Sequence, residues 1–251
     1  MARPVLGSAA AEPSGPDGPP SDQADPAQRP WWGRPWSRRP WLRRLAWTAG
    51  LAVAAVALFS GYLRLSNTYP ENSDQANLGL QAWDMLHGNL LLQGWVLSDV
   101  SFFTTELPQY VLLELINGLN PGTFHAAAAM TYTLALLLTV LLAVGRADAR
   151  ADGRAGGREG VARALIAGGI MLAPQLGVGV FILLLSVGHF GTSVPLLLTW
   201  LVLDRTRSRW YVPVLAALLL AWASIADPLV LVAGVAPLAM VALVRVAGAL
   251  I

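Results

Sequence analysis

Long apolar blocks separated by short charged segments constrain this chain more than any other feature. Residues 45–63, 123–144 and 164–187 are apolar runs with almost no charge. A helix of roughly 20 residues crosses the ~30 Å hydrocarbon core of a bilayer. The hydrophobic fraction is 55% and the charged fraction is 13%, whereas soluble domains average about 45–50% and about 25%. We therefore predict an all-α, polytopic membrane protein with no nucleic-acid partner.

Two further apolar stretches bring the predicted number of spans to six. Residues 192–203 form a short run, and residues 212–244 would make a helix of roughly 50 Å, too long for one crossing. Asp227 and Pro228 interrupt that second run. Proline removes a helical hydrogen bond, and a carboxylate is costly in the middle of a membrane. We therefore expect a hairpin with Asp227 near the outer surface.

The arginines indicate the orientation of the spans. Cytoplasmic loops of membrane proteins are enriched in basic residues. With six spans and a cytoplasmic N-terminus, only Arg64 lies at an outer end, and the other arginine clusters are cytoplasmic. The pattern predicts a multi-pass plasma-membrane protein. Tryptophans and arginines before the first span are typical of an interfacial collar: Trp31, Trp32, Arg34, Trp36, Arg38, Arg39, Trp41, Arg43 and Arg44.

Composition divides the chain into a tail and a membrane domain. Residues 1–40 hold nine of the 17 prolines, and such a segment buries too little apolar surface to fold. We predict a disordered cytoplasmic tail over 1–40 and a transmembrane domain over 41–251. Within the domain we expect an outer acidic loop at 65–122 and a solvated cytoplasmic linker at 146–162.

The predicted outer loop carries the residues best suited to bind a cation or to transfer a proton. It contains six acids and no base beyond Arg64: Glu71, Asp74, Asp84, Asp99, Glu106 and Glu114. Asp74, Asn77, Gln81 and Asp84 recur at helical spacing and predict a helix lying on the membrane with its polar face turned outward or toward a cavity. Residues 105–119 predict a second surface helix. On spacing alone, Asp74 is a helix-start acid after a cap at Asn72 or Ser73.

This arrangement resembles the N-terminal half of the GT-C glycosyltransferases, which use lipid-phosphate-linked sugars. The resemblance is carried by residues 72–108, NSDQANLGLQAWDMLHGNLLLQGWVLSDVSFFTTELP. An aspartate soon after the first span, an Ala-containing helix that ends at Gly88 and the later Glu106-Leu107-Pro108 element are similar to the family's first-loop pattern. The chain departs from many members in having Asp74-Gln75 instead of Asp-Glu. It also has fewer spans than most members, which suggests a shortened or inactive form.

The resemblance implies sugar transfer from a lipid-linked donor to an acceptor on the outer side of the membrane. Asp74 takes the place of the family's catalytic or metal-binding aspartate, with Mg²⁺ or Mn²⁺ as the implied cofactor. On the phosphate side, the outer cationic groups are Arg64 and His189. We expect Glu106, His189, Asp227 and Arg64 to bind substrate and to share one cavity with Asp74.

Two other classes of function fit parts of the sequence. A non-catalytic integral membrane assembly protein would tolerate the same spans and would not need the acidic loop. A transporter subunit should carry ionisable residues within its spans. The predicted spans hold almost none, and the third has only the uncharged amide of Gln175 beside Pro174. The glycosyltransferase-like interpretation is therefore the first hypothesis, and the assembly protein is the alternative.

Overall fold

A computed structural model describes residues 40–97, 100–145, 155–173, 178–185, 189–206 and 209–250. The described residues are helical and contain no β-strand. The chain divides into the units Met1–Thr48 and Ala49–Ile251. The helices are α1 Pro40–Ser66, α2 Ser73–Leu86, α3 Leu107–Asn117, α4 Pro121–Val144, α5 Ala155–Leu172, α6 Val178–Leu185, α7 Ser193–Arg205, α8 Tyr211–Ala226 and α9 Ala236–Leu250.

Three helical segments in the described part of the chain are long and apolar enough to cross a membrane. They are Arg44–Ser66, Pro121–Val144 and Leu231–Gly248, and the apolar helix Tyr211–Ala226 is shorter. Val53 and Leu243 are about 70% exposed on the first and last of these segments. Contiguous apolar surface of this kind is rare in water and normal against lipid. The structure therefore indicates a membrane protein.

The helices found between α4 and α7 differ from the predicted ones. The expected single span at 164–187 is divided between α5 and α6. Pro174 follows α5 in the sequence, and proline disfavours helical geometry in the residue before it. The second half of the predicted solvated linker at 146–162 lies in α5, which begins at Ala155. An ion pair of 3.8 Å between Glu159 and Arg163 stabilises this first part of α5.

Several predictions concern residues outside the described ranges. These are the tail at 1–39, Asp99, and the first part of the linker at 146–154. The predicted interruption at Asp227-Pro228 lies within the described ranges, and the structure confirms it. Helix α8 ends at Ala226, and the following helix includes a π-helical stretch, Leu231–Val235, that continues into α9.

The predicted outer loop at 65–122 contains the two expected helices. Asn72 caps α2, because its side-chain oxygen accepts a 2.8 Å hydrogen bond from the Gln75 N–H. After α2 ends at Leu86, Gly88 adopts a φ of 105°, a left-handed backbone that glycine accepts without strain. Helix α3 begins with Leu107 and Pro108 and ends before Gly118.

Helix α3 buries a carboxyl group as well as Leu107 and Tyr110, and it exposes several apolar side chains. Glu114 is buried, while Leu112, Leu115 and Ile116 are exposed, Ile116 to 71%. Helix α2 is similar in part, since Gln81 is buried and Leu80 is exposed. Exposed apolar side chains beside two candidate spans suit contact with lipid rather than water.

The segment before α3 is attached to the end of α8. The Ser101 N–H donates to the Ala226 carbonyl at 2.9 Å, and the Ser101 hydroxyl donates to the Ile225 carbonyl at 3.0 Å. The Thr104 hydroxyl donates to the Trp222 carbonyl at 2.6 Å. The two Ser101 bonds satisfy carbonyls that the helix end leaves unpaired. They bring the start of α3 to the turn that contains Asp227.

Candidate functional site

Three of the predicted site residues meet around the turn before α7. Glu106 directly precedes α3, His189 lies in the turn before α7, and Asp227 follows α8. Glu106 is 1% exposed and Asp227 is fully buried. The turn from His189 to Thr192 contacts both carboxylates. We call Glu106, His189 and Asp227 the acid–histidine cluster.

Glu106 is held by its own neighbour and by the turn. One carboxylate oxygen accepts a hydrogen bond from the Thr105 hydroxyl, and the other accepts a 2.9 Å bond from the Gly191 N–H. A Cβ on residue 191 would overlap the carboxylate, so the contact requires glycine. Burial raises the pKa of Glu106 to about 7 despite these hydrogen bonds, and the nearby Asp227 adds to the rise.

Asp227 is held in its charged form by three donors. His189 Nδ1 lies 2.8 Å from Oδ2, the Thr192 hydroxyl donates to Oδ2 at 3.0 Å, and the Leu229 N–H donates to Oδ1 at 2.9 Å. Burial alone would raise the pKa of this carboxyl, but the hydrogen bonds outweigh it and hold the pKa below its ordinary value. Asp227 is thus also the cap of the helix that follows it.

His189 presents one side of its ring to the exterior. Its side chain is 51% exposed although its Nδ1 contacts a buried carboxylate. A carboxylate accepts hydrogen bonds, so Nδ1 carries a proton and Nε2 faces away from Asp227. Such an imidazole can accept a proton at Nε2 when neutral, or donate one to a phosphate oxygen when charged.

Asp74 and Arg64 lie outside this cluster of contacts. Asp74 is exposed in the first turn of α2, and Arg64 is exposed in the last turn of α1. Neither side chain forms a hydrogen bond or ion pair within the described residues. The structure therefore brings Glu106, His189 and Asp227 together, while no contact joins them to Asp74.

The donor set does not make a metal site. No group of three or more His, Cys, Asp or Glu side chains in the described residues is arranged to hold an ion. The residue that follows Asp74 is Gln75, so an amide lies where a second carboxylate would help to bind a metal ion. The Mg²⁺ or Mn²⁺ requirement stays a prediction, and no step below depends on it.

No sequence pattern identifies the residues that hold the cluster together: Thr105, Gly191 and Thr192. Gly191 and Thr192 act through contacts across 85 and 35 positions of sequence, and Thr105 bonds to its own neighbour Glu106. The pattern Gly188-His189-Phe190-Gly191 was the one available signal, since glycine permits close approach of another group. Comparisons with protein families, with curated proteins and with solved structures found no match to this chain.

Proposed function

We propose that this chain is a membrane glycosyltransferase-like protein of the GT-C type. It would transfer a sugar from a lipid-phosphate donor to an acceptor on the outer side of the plasma membrane. The observation that carries the proposal is the His189–Asp227 pair, in which a buried aspartate orients a half-exposed imidazole. The acidic loop between two candidate spans is a second support, because its residues 72–108 resemble the first loop of that family.

The proposed topology has six spans and a cytoplasmic N-terminus. It adds the region of α5 and α6, helix α7 and helix α8 to the three candidate spans. In this topology Asp74, the turn before α7 and Asp227 all lie on the outer side. The arginine distribution supports this orientation.

The proposed reaction is a displacement at the anomeric carbon of the donor sugar. The acceptor hydroxyl oxygen forms a bond to that carbon, and the bond from the carbon to the phosphate oxygen breaks. The electron pair leaves on the phosphate, and the hydroxyl proton moves to Asp74. His189 Nε2 and Arg64 are the groups that would face the phosphate, while Asp227 and Glu106 support His189 and its turn.

A transfer assay in proteoliposomes tests this proposal. The substrates would be polyprenyl-phosphate-linked hexoses and pentoses, supplied on the outer side with a panel of sugar acceptors, with and without a divalent-ion chelator. We expect transfer by the wild-type chain and a loss of about 10²-fold in His189→Gln. His87→Gln is the matched control and should retain the wild-type rate. Transfer that is unaffected by His189→Gln would remove the cluster from the site.

A non-catalytic assembly protein is the second candidate function. It is favoured by the fact that both oxygens of Glu106 and both oxygens of Asp227 already accept hydrogen bonds within the protein. In that case the cluster is a structural joint between α3, α7 and α8. Wild-type protein without transfer activity, together with loss of thermal stability in Asp227→Asn, would favour this candidate.

A further inference from the structure

The segment that follows α2 exposes several apolar side chains close together in the sequence. Leu90, Leu91 and Val96 are 63%, 75% and 93% exposed, and Leu97 is 41% exposed. Residues 88–97, which we call the apolar loop, include no acidic or basic side chain. Exposed apolar surface of this kind marks a site of contact with a protein or a membrane.

Hydrogen bonds give the apolar loop a fixed shape. The Asn89 side-chain amide donates to the Asp84 carboxylate at 2.6 Å and to the Gln93 carbonyl at 3.0 Å. The Asn89 side-chain oxygen accepts a 2.8 Å bond from the Gln93 N–H. The Trp95 indole N–H donates at 2.8 Å to the same Asp84 oxygen that Asn89 contacts. These bonds hold the loop without any contribution from its exposed apolar side chains.

The apolar loop also has an inner side that packs against the protein. Leu92 is 3% exposed and belongs to the same buried cluster as Leu107 and Tyr110, and Trp95 packs against that cluster. Leu92 has a φ of 50°, a left-handed backbone that is uncommon outside glycine. One leucine of the loop is thus buried, while the two leucines before it stay exposed. The loop is folded, and its exposed apolar side chains are left for another partner.

Lipid is the partner that fits this surface. The apolar loop lies between the candidate spans Arg44–Ser66 and Pro121–Val144, and the helices α2 and α3 that flank it both pack against α4. A stable contact between two proteins takes about 20–30 residues on each side, whereas this loop offers four apolar side chains. The boundary between lipid headgroups and acyl chains accepts such a small apolar surface.

We propose that the apolar loop inserts into the boundary between headgroups and acyl chains, in the leaflet on the side where residues 67–120 lie. The side chains of Leu90, Leu91 and Val96 enter the apolar layer, while the polar side chain of Gln93 stays among the hydrated headgroups. The loop is then a membrane anchor between α2 and α3 that does not cross the bilayer. This anchor forms whether or not the chain transfers a sugar.

Fluorescence quenching from the two sides of the interface tests the anchor. The chain has no cysteine, so Leu91→Cys and Val96→Cys each carry a single environment-sensitive nitrobenzoxadiazole label in the full-length protein in phosphatidylcholine nanodiscs. We expect both labels to lose emission when the lipids carry bromine near the top of their acyl chains, because interfacial apolar groups reach ~5–10 Å into this boundary. Iodide in the buffer should quench them weakly.

Asn77→Cys provides the matched control, because Asn77 is a polar residue on the exposed surface of α2. Its label should emit at longer wavelength than the two loop labels, and it should be quenched by iodide and not by brominated lipid. Leu91 and Val96 are both exposed, so neither substitution removes a buried contact.

Three outcomes decide the proposal. Quenching of both loop labels by brominated lipid, with the control quenched by iodide, would support the anchor. Loop labels quenched by iodide as strongly as the control would place the loop in water and overturn it. Loop labels protected from both quenchers would show that protein covers the loop, which also overturns it, and a disulfide between two Leu91→Cys chains would identify a second copy as the cover.

Discussion

Three carboxyl groups are buried in the described residues, and each has a different environment. Asp227 has three hydrogen-bond donors, and its pKa is held low by them although burial opposes this. Glu106 accepts hydrogen bonds from two other residues, but burial outweighs them and raises its pKa to about 7. Glu114 is 4% exposed, and both of its oxygens lack a hydrogen-bond partner in the described residues. Desolvation favours the neutral form of such a group. Of these three carboxyl groups, Asp227 therefore has the greatest tendency to carry a negative charge.

Glu114 should make stability depend on pH. Burial raises the pKa of Glu114 from 4.5 to about 7. Because the folded chain binds this proton more tightly than the unfolded chain, stability is greatest at low pH and falls as pH rises toward about 7. Glu114→Gln cannot ionise, and at about pH 8 it should be more stable by on the order of 2 kcal/mol. Thermal unfolding in detergent measures this. Glu159→Gln, at an exposed position, is the control, and parallel pH curves for wild type and Glu114→Gln would contradict the assignment.

Gly191 should not tolerate a side chain while Glu106 is present. Gly191→Ala places a Cβ where the carboxylate lies, and overpacking of this kind costs about 1–3 kcal/mol. Glu106→Ala removes the obstacle, so the double variant should lose less stability than the sum of the two single variants. Additive losses in such a double-mutant cycle would show that the two residues are not in contact.

At the scale of elements, the sequence predicts where the helices lie better than it predicts which of their side chains are buried. The Asn72 cap and the break at Asp227-Pro228 follow from local chemistry, which needs no tertiary information. Helix α4 begins at Pro121, two residues before the predicted span. Which side chains of α3 are buried was not predicted: Glu114 is buried and Ile116 is exposed, and this follows from the packing of α3 against α2 and α4. The contact of Ser66 with His125 spans 59 positions, and no spacing rule predicts such a pair.

Gln75 is the element-scale test of how α2 is attached. Gln75→Glu creates the Asp-Glu pair of the family that this loop resembles, but it replaces an N–H donor at the Leu185 carbonyl by an acceptor. We expect a loss of about 1–3 kcal/mol in stability, because a buried hydrogen bond is exchanged for an unsatisfied group. Asn77→Asp introduces the same charge on the exposed face of α2 and should be nearly neutral. A stable and more active Gln75→Glu would show that residue 75 belongs to the site and not to the attachment of α2.

At the scale of the molecule, the number of spans decides which residues can share a site. The described residues contain three candidate spans, whereas the proposed topology has six. Only a topology that places 65–122, the turn before α7 and Asp227 on one side allows Asp74 and the acid–histidine cluster to act on one substrate. The orientation is therefore part of the functional proposal.

Cysteine labelling tests this topology directly. The chain has no native cysteine, so Gln93→Cys and Ala155→Cys can each be probed alone with a membrane-impermeant maleimide on intact cells. We expect labelling of residue 93 from outside and labelling of residue 155 only after the cells are opened, because the arginine-rich segments stay cytoplasmic. Equal labelling of both positions from outside would contradict the six-span arrangement.

The central claim is sugar transfer at an outer site that contains Asp74, and one pair of variants tests it most directly. Asp74 is exposed and has no partner in the described residues, whereas Asp84 accepts hydrogen bonds from Asn89 at 2.6 Å and from Trp95 at 2.8 Å. Asp84 therefore has a structural role on the same helix. In the proteoliposome transfer assay, Asp74→Asn should lower the rate by about 10²- to 10³-fold, while Asp84→Asn stays within a few-fold of wild type when both insert equally. Comparable losses in the two variants, or full activity in Asp74→Asn, would contradict the account.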